Sequence, residues 1–278
     1  RPQYKRFASD AESKGVPVTT IWNDVETATD GTRTLMRLFD GTKVFDTPKP
    51  IGLVQRMIRL SCADDDLVFD FFAGSATTAH AVMQLNAEDG GRRQAILVQI
   101  PESCDEDSAA FKEGYQSIAD IARERIRRVI ATLDEPTDIG FKSFRLTASN
   151  LKKWRGDDIA AADQLGEQIQ LFAQSAQRDE QGTAASLENL LFELLLKFGQ
   201  TLTTPIETLD IAGCKVFAIH ERKMLFVLDA YSPAMLAPLL AGQPRQIIAT
   251  DTVFKYNDRF KANLAAQCRD AGVRFRCV

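Results

Sequence analysis

An α/β fold is predicted for this chain: a parallel sheet with flanking helices over residues 1–156, one half of a doubly wound arrangement, then a smaller α/β domain over residues 157–278. Three observations carry the prediction. Short apolar runs of strand length alternate with segments of helical periodicity, the connections between them are short, and the composition turns polar, Gln-rich and Ala-rich from Asp157 to Ser186. Strands that alternate with helices pair in parallel through right-handed crossovers, which packs the helices on the sheet.

The elements follow in order. "PVTTIWND" (17–24) alternates β-branched residues and reads as a short strand. "GTRTLMRLF" (31–39) suits a short helix, and "DTPKP" (46–50) is an extended turn, because Pro48 and Pro50 each restrict the residue before them. After Pro50, Ile51, Val54, Ile58 and Cys62 recur at helical spacing. "DDDLVFDFF" (64–72) is an apolar run bracketed by acids, the pattern of a buried strand. "SATTAHAVMQLN" continues as a helix stopped by "EDGG", and "QAILVQI" (94–100) is a second apolar strand. From Ile118 to Ile130 a helix places Ile118, Ile121, Ala122, Ile126 and Val129 on one face, and "GFKSFRL" (140–146) reads as a third strand.

Past the polar stretch, helical where its Leu and Ile recur, "LENLLFELLLKFG" (187–199) is a strongly apolar helix closed by Gly199. "KVFAIHERKMLFVLD" (215–229) reads as a β-hairpin turning near His220 to Lys223. "RQIIAT", a helix around "NDRFKANLAAQCRDAG" and "VRFRCV" complete a strand, helix, strand ending.

Composition narrows the function classes. The chain of 278 residues is 45% hydrophobic and 26% charged, as in soluble globular proteins. With a formal charge of −4, no global field draws it to nucleic acid, so much of any DNA-contacting surface lies elsewhere. Five scattered cysteines without a C-x-x-C pair, and only two histidines, argue against a metal site or a disulfide framework. Free thiols, with no signal peptide or long apolar run, suit a reducing cytoplasm and no membrane. The first residue is Arg1, which fits a fragment.

The stretch with chemical content is "DFFAGSATT" (70–78), where a strand turns into a helix. In an open α/β sheet, ligands sit at the carboxyl ends of strands, where helix starts offer unpaired N–H groups. Ala73, Gly74, Ser75 and Ala76 keep the turn narrow, and Thr77 and Thr78 supply hydroxyls. Neither a Gly-Lys-Ser/Thr ending nor G-x-G-x-x-G is present, which favours a ligand without phosphate. A purely structural corner between strand and helix would use the same small residues.

The neighbours of this turn carry a resemblance. "DTPKP", a helix, "DLVFDFFAGSATT", a helix and "RRQAILVQIPES" resemble, in order and spacing, the β-group amino-methyltransferases of DNA. With "TTIWND", "TTAHAVMQLNAEDGG", "KEGYQSIADIARERIRRV" and "FKSFRLTASNLKKW" added, the chain is similar to the C-terminal portion of the modification subunit of type III restriction-modification systems. The likeness covers residues 17 to 155 well and is looser to the C-terminus.

The resemblance implies a partial Rossmann-like, S-adenosylmethionine-dependent methyltransferase fold that methylates the exocyclic amine of adenine in a specific DNA sequence. Residues 1–30 would be the trailing end of an upstream region. Carried over by position, Asp70, Phe72, Ala73, Gly74, Ser75 and Thr77 form the cofactor turn, Thr47, Pro48 and Lys49 take the methionine carboxylate, and Gln99 to Pro101 meet the adenosine. Implied partners are DNA, a restriction (helicase-nuclease) subunit and a second copy of the full-length subunit. No catalytic residue is expected within the chain, since no Pro-Pro pair occurs for the Asp- or Asn-Pro-Pro-aromatic loop.

Two positions depart from the family pattern. Ala76 replaces a glycine and fits the turn only with a negative φ, and Gln99 stands where many relatives have an acid for the ribose. Glu102 could substitute for that acid, although a charge ahead of the next helix is its simpler role. Arg123, Arg125, Arg127 and Arg128 read as a solvated face with local ion pairs, and His80 as a packed histidine. Trp22 and Phe72 are candidates for stacking on adenine, with core roles as the alternative. The 187–199 helix reads as core, or as a subunit contact if its outer face is exposed.

Three functional classes stand at this point: the methyltransferase half, a non-enzymatic module for dimerisation or restriction-subunit docking with a vestigial cofactor turn, and a methyltransferase acting on RNA or another amine.

Overall fold

The computed structural model describes residues 18–133, 139–151, 186–255 and 257–278. It contains two compact units, residues 1–143 and 144–278. Residues 156 and 157, where the sequence places a boundary, lie outside the described residues, as does nearly all of the polar stretch from 157 to 186.

In the first unit, α1 (Ala28–Leu38) begins at Thr27, whose N–H and hydroxyl both bond the Asp30 carboxylate, at 2.9 and 2.7 Å. Gly31 is required there: a Cβ would stand 2.7 Å from the Pro48 carbonyl oxygen, so the 48–50 backbone could not lie against the helix. Pro50, extended at φ −64° and ψ 138°, then starts α2 (Ile51–Ser61).

Strand β1 (Leu67–Asp70) pairs in parallel with β2 (Gln94–Leu97), Phe69 opposite Ile96. The crossover is α3 (Thr77–Asp89), which ends at a left-handed Gly90. A single turn, α4 (Ala109–Lys112), precedes α5 (Ile118–Thr132), which a Ser117–Asp120 capping box starts. Ile51 and Ile58 of α2 pack with Ala81, Val82 and Leu85 of α3 and with Val68 and Ala95 of the strands. Ala76 and Ala79 pack with Ala122 and Ile126 of α5 and with Leu97. Small residues along α3 let two helices approach it closely.

Three sequence expectations are corrected here. Residues 18–24 form bends, not a strand: the Trp22 indole N–H donates to the Thr19 carbonyl at 2.7 Å, and Asp24 takes both Arg56 nitrogens at 2.7 and 2.9 Å. Those bonds hold the segment to α2 and leave no ladder. The run 140–146 is irregular as well: Phe144, the first residue of the second unit, packs edge-on at 4.9 Å against Phe192 of that same unit. Strand β1, expected to be buried, is covered on one face only. Val68 and Asp70 point toward the helices, whereas Leu67, Phe69 and Ile96 are about half exposed, Phe69 at 58%.

The second unit opens with α6 (Leu187–Lys197), capped by Ser186, with a left-handed Gly199 two residues beyond its end. Five strands follow in the spatial order β3 (Glu207–Ile211), β4 (Cys214–Ile219), β5 (Met224–Val227), β6 (Gln246–Ala249), β7 (Arg274–Cys277). The first two pairings are antiparallel and the last two parallel. The expected hairpin is β4–β5, turning through His220 to Lys223. Alternation sets the two cores. Phe217, Ile219, Phe226 and Ile248 meet the four buried leucines of α6, while Val216, Ala218, Leu225 and Ile247 meet α7 (Leu236–Ala241) and α8 (Asp258–Asp270). Each fully buried leucine contributes about 1.5–3 kcal/mol, so α6 is held mainly by its apolar stripe.

Candidate functional site

The turn between β1 and α3 is built on Asp70, the last residue of the strand. One carboxylate oxygen accepts the Phe72 N–H at 3.0 Å and the other the Thr78 hydroxyl at 2.5 Å, so a single side chain clamps both ends of the turn. The ladder runs one step past the strand: Val98 N–H donates to the Asp70 carbonyl at 2.8 Å and Ala73 N–H to the Val98 carbonyl at 3.1 Å. Two left-handed residues then reverse the chain, Gly74 at φ 52° and Ala76 at φ 63°.

The left-handed Ala76 overturns the expectation of a negative φ. Its N–H closes the turn on the Ala73 carbonyl at 2.8 Å, and its methyl is completely buried among Ala79, Ala122 and Ile126. A left-handed alanine costs about 1–2 kcal/mol of backbone strain, and here the surrounding packing enforces it.

Gln99 reaches the same turn. Its Oε1 accepts the Gly74 N–H at 2.7 Å and its Nε2 donates to the Ile100 carbonyl at 3.1 Å. The side chain of Phe45 lies 3.4 Å from where a Gly74 Cβ would stand. The sequence did not single out Phe45, and no local pattern would have: its position next to Gly74 is a tertiary contact.

Ser75 and Thr77 are buried and turned inward, where their hydroxyls accept from Nη1 of Arg125 at 2.9 and 2.8 Å. Arg125 also meets His80 Nδ1, with Nε and Nη2 both at 3.3 Å. A guanidinium only donates, so Nδ1 is the bare nitrogen and the imidazole proton sits on Nε2. Burial, and then the Arg125 charge, push the His80 pKa down to about 3, so this histidine stays neutral. Burial lowers the Arg125 pKa to about 10.

The reading of Arg125 as part of a solvated face is therefore corrected. It falls four residues after Ile121 and four before Val129, on the apolar stripe of α5, and that spacing was the available signal. The other three arginines form local ion pairs: Arg123 with Asp120, Arg127 with Glu124, and Arg128 with Glu124 and Asp40.

Among the other expected site residues, the structure brings Asp70, Ala73, Gly74, Ser75, Thr77 and Gln99 together. Phe72 is 79% exposed beside the turn, its ring 5.2 Å from that of Phe71. Pro48 is buried, Thr47, Lys49 and Pro101 are exposed, and Lys49 makes no hydrogen bond or ion pair among the described residues. Trp22 lies under the Arg56 guanidinium, 5.3 Å from its ring centre. Chemically, the first N–H groups of α3 and the Ser75 N–H take no acceptor among the described residues, and an exposed aromatic ring lies beside them, a set suited to an anionic group joined to a flat heterocycle.

The family described as DNA methylase matches residues 1–126. The StyLTI Mod subunit, a type III restriction-modification enzyme of Salmonella typhimurium, is 37% identical over 250 residues, covering 82% of this chain and 38% of its own length. The EcoPI Mod subunit of Escherichia phage P1 is 30% identical over 256 residues, 91% of this chain and 38% of its own. The type II methyltransferase M.KpnI of Klebsiella pneumoniae is 40% identical over 117 residues, 42% of this chain and 28% of its own. The chain thus spans under two fifths of the length of the Mod subunits it matches. Residues 1–126, which contain the β1–α3 turn, match the DNA methylase family, and most of the chain is similar to a part of type III Mod subunits.

Proposed function

We propose that this chain is the S-adenosylmethionine-binding part of a site-specific DNA adenine-N6 methyltransferase of the type III modification kind. The observation that carries the reading is the β1–α3 turn: a narrow, doubly left-handed bend at the carboxyl end of a parallel strand, opening onto the first turn of a helix within a DNA methylase match.

The residues present fit such a cofactor through main chain and one ring. The N–H groups at the start of α3 suit its carboxylate, and the exposed Phe72 ring suits its adenine. Gln99 and Asp70 hold the bend in shape, since their polar atoms are already engaged inside it. Lys49, with no ion pair among the described residues, is the candidate cation for that carboxylate, and Thr47, Pro48 and Pro101 are the remaining candidates of the site. When bound, the cofactor supplies an electrophilic methyl group. The chain's own part is to orient it and exclude water from one side.

The open face of the β1–β2 sheet supports a partial Rossmann-like fold. Leu67, Phe69, Phe71, Ile96 and Val98 are each more than two fifths exposed, an apolar patch that a doubly wound protein covers with a second helical layer. In this reading the layer, the catalytic Pro-Pro-aromatic loop and the DNA-recognition elements come from the rest of the subunit. In the same reading the second compact unit, residues 144–278, is the smaller α/β domain that would contact a restriction subunit or a second copy. Methylation of DNA would then require the whole subunit.

Isothermal titration of the chain with S-adenosylmethionine and its demethylated product tests the reading. Saturable binding of both, without methyl transfer to DNA, is expected; no binding of either refutes it. A second reading, a docking module with a vestigial turn, draws on Gln99 filling the Gly74 N–H and predicts that null result.

A further inference from the structure

The guanidinium of Arg125 is fully buried, yet every group it meets is neutral. Its acceptors are the Ser75 carbonyl at 3.3 Å, the hydroxyls of Ser75 and Thr77, and the unprotonated Nδ1 of His80. No carboxylate pairs with it among the described residues. Arg93, the other buried arginine among the described residues of the first unit, shows the ordinary solution: Asp64 at 2.6 Å and Asp89 at 2.9 Å neutralise it. A buried charge without a counter-charge is costly, and hydrogen bonds to neutral groups return only part of what water provided.

The place of this charge gives it a use. All of its partners belong to the turn and the first helical residues of α3, where backbone dipoles already concentrate roughly half a positive charge. Ser75 and Thr77 receive from Arg125, and no described acceptor takes their own hydroxyl protons. The turn therefore carries a whole cation immediately behind a helix N-terminus and polarised hydroxyls with unused donors, while its own carboxylate, Asp70, is engaged by the Phe72 N–H and the Thr78 hydroxyl and does not pair with Arg125.

We infer that Arg125 is a positioning residue that makes this turn selective for ligands with a free carboxylate: the ligand's anion supplies the counter-charge that no carboxylate of the described residues gives Arg125 in direct contact. This rests on the cofactor reading above and deepens it. Arg125 does not touch the ligand. It acts through Ser75, Thr77 and the field at the start of α3, so a sulfonium or thioether nucleoside bearing an amino-acid end is preferred over the same nucleoside without one.

The test is titration of S-adenosylhomocysteine and 5′-methylthioadenosine, which share the nucleoside and differ in the carboxylate end, into the wild-type chain, Arg125→Gln and Arg125→Lys. Arg125→Gln is expected to lose about tenfold in affinity for S-adenosylhomocysteine, the size of a partly buried charge acting at a helix terminus, while 5′-methylthioadenosine is unaffected. Arg125→Lys, which keeps the charge, should recover most of that loss. Equal weakening of both ligands by Arg125→Gln would mean a purely structural role and overturns the inference, as does no weakening of either. If Arg125→Gln does not fold, Ser75→Ala combined with Thr77→Val replaces it, with the same selective loss expected and the same two results overturning the inference. Failure of the wild-type chain to bind S-adenosylhomocysteine sinks the cofactor reading and this inference together; binding with an unselective loss sinks only the inference.

Discussion

The side-chain oxygen of Gln99 accepts the backbone N–H of Gly74 at 2.7 Å, so a residue just past β2 fixes the bend that leaves β1. The bond spans the two parallel strands at their carboxyl ends. It makes the shape of the turn depend on correct pairing of the sheet.

Truncating Gln99 to Ala should therefore loosen the turn. The lost hydrogen bond is expected to cost about 1 kcal/mol, read as a lower urea midpoint for the first unit. An unchanged midpoint would show that water replaces the amide without penalty.

Ala76 pits strain against burial. Ala76→Gly relieves about 1–2 kcal/mol of left-handed strain but removes a buried methyl worth about 0.8 kcal/mol and loosens the unfolded chain further. The effects nearly cancel, so its stability should stay within about 1 kcal/mol of wild type. Ala76→Val meets both a left-handed φ and a full core, and a loss of about 3 kcal/mol or more is expected. Thermal unfolding of the pair checks the contrast; a tolerated valine would contradict the left-handed turn.

His80 gives the first unit a distinctive acid sensitivity. Its pKa is about 3 in the fold and 6.5 as its ordinary value, so between these the unfolded chain holds one more proton than the native one. Stability is complete above pH 6.5 and falls as the solution is acidified toward pH 3, with a limiting slope of about 1.4 kcal/mol per pH unit. Asp30, Asp89 and Asp120, held below their ordinary range by hydrogen bonds and by neighbouring arginines, lose stability in the same direction but only at lower pH. Urea titrations at about pH 7.5, 6 and 5, which span the histidine range, should show a decline in wild type and a flatter profile in His80→Gln.

The open sheet face makes a different kind of prediction. Phe69→Ser with Ile96→Thr should cost the chain less than about 1 kcal/mol, because both side chains are already half exposed, while reducing binding of a hydrophobic dye and self-association. A loss of about 3 kcal/mol or more, the cost of a core truncation, would mean that the face is covered within the chain itself.

Much of this architecture was legible in the chain. The apolar stripes of α2, α5 and α6 and the β4–β5 hairpin follow from local rules whose periods are written in the sequence. The errors share one cause. Residues 18–24 and 140–146 have strand-like composition, but a strand needs a partner, and both segments find side-chain contacts first. In the same way four arginines in α5 look alike by charge, and only the stripe separates Arg125 from its neighbours.

By itself, then, the amino-acid order determined most of the helices and the β4–β5 hairpin, and that a small-residue turn follows an acid-ended strand in a methylase-like pattern. Tertiary structure alone decided that Ala76 is left-handed, that Gln99 closes on Gly74, that Ser75 and Thr77 turn inward to Arg125, and that one face of the sheet stays bare. Local propensity is a sum over neighbours a few residues apart, whereas each of these outcomes joins groups from separate elements, and only packing sets which of them meet.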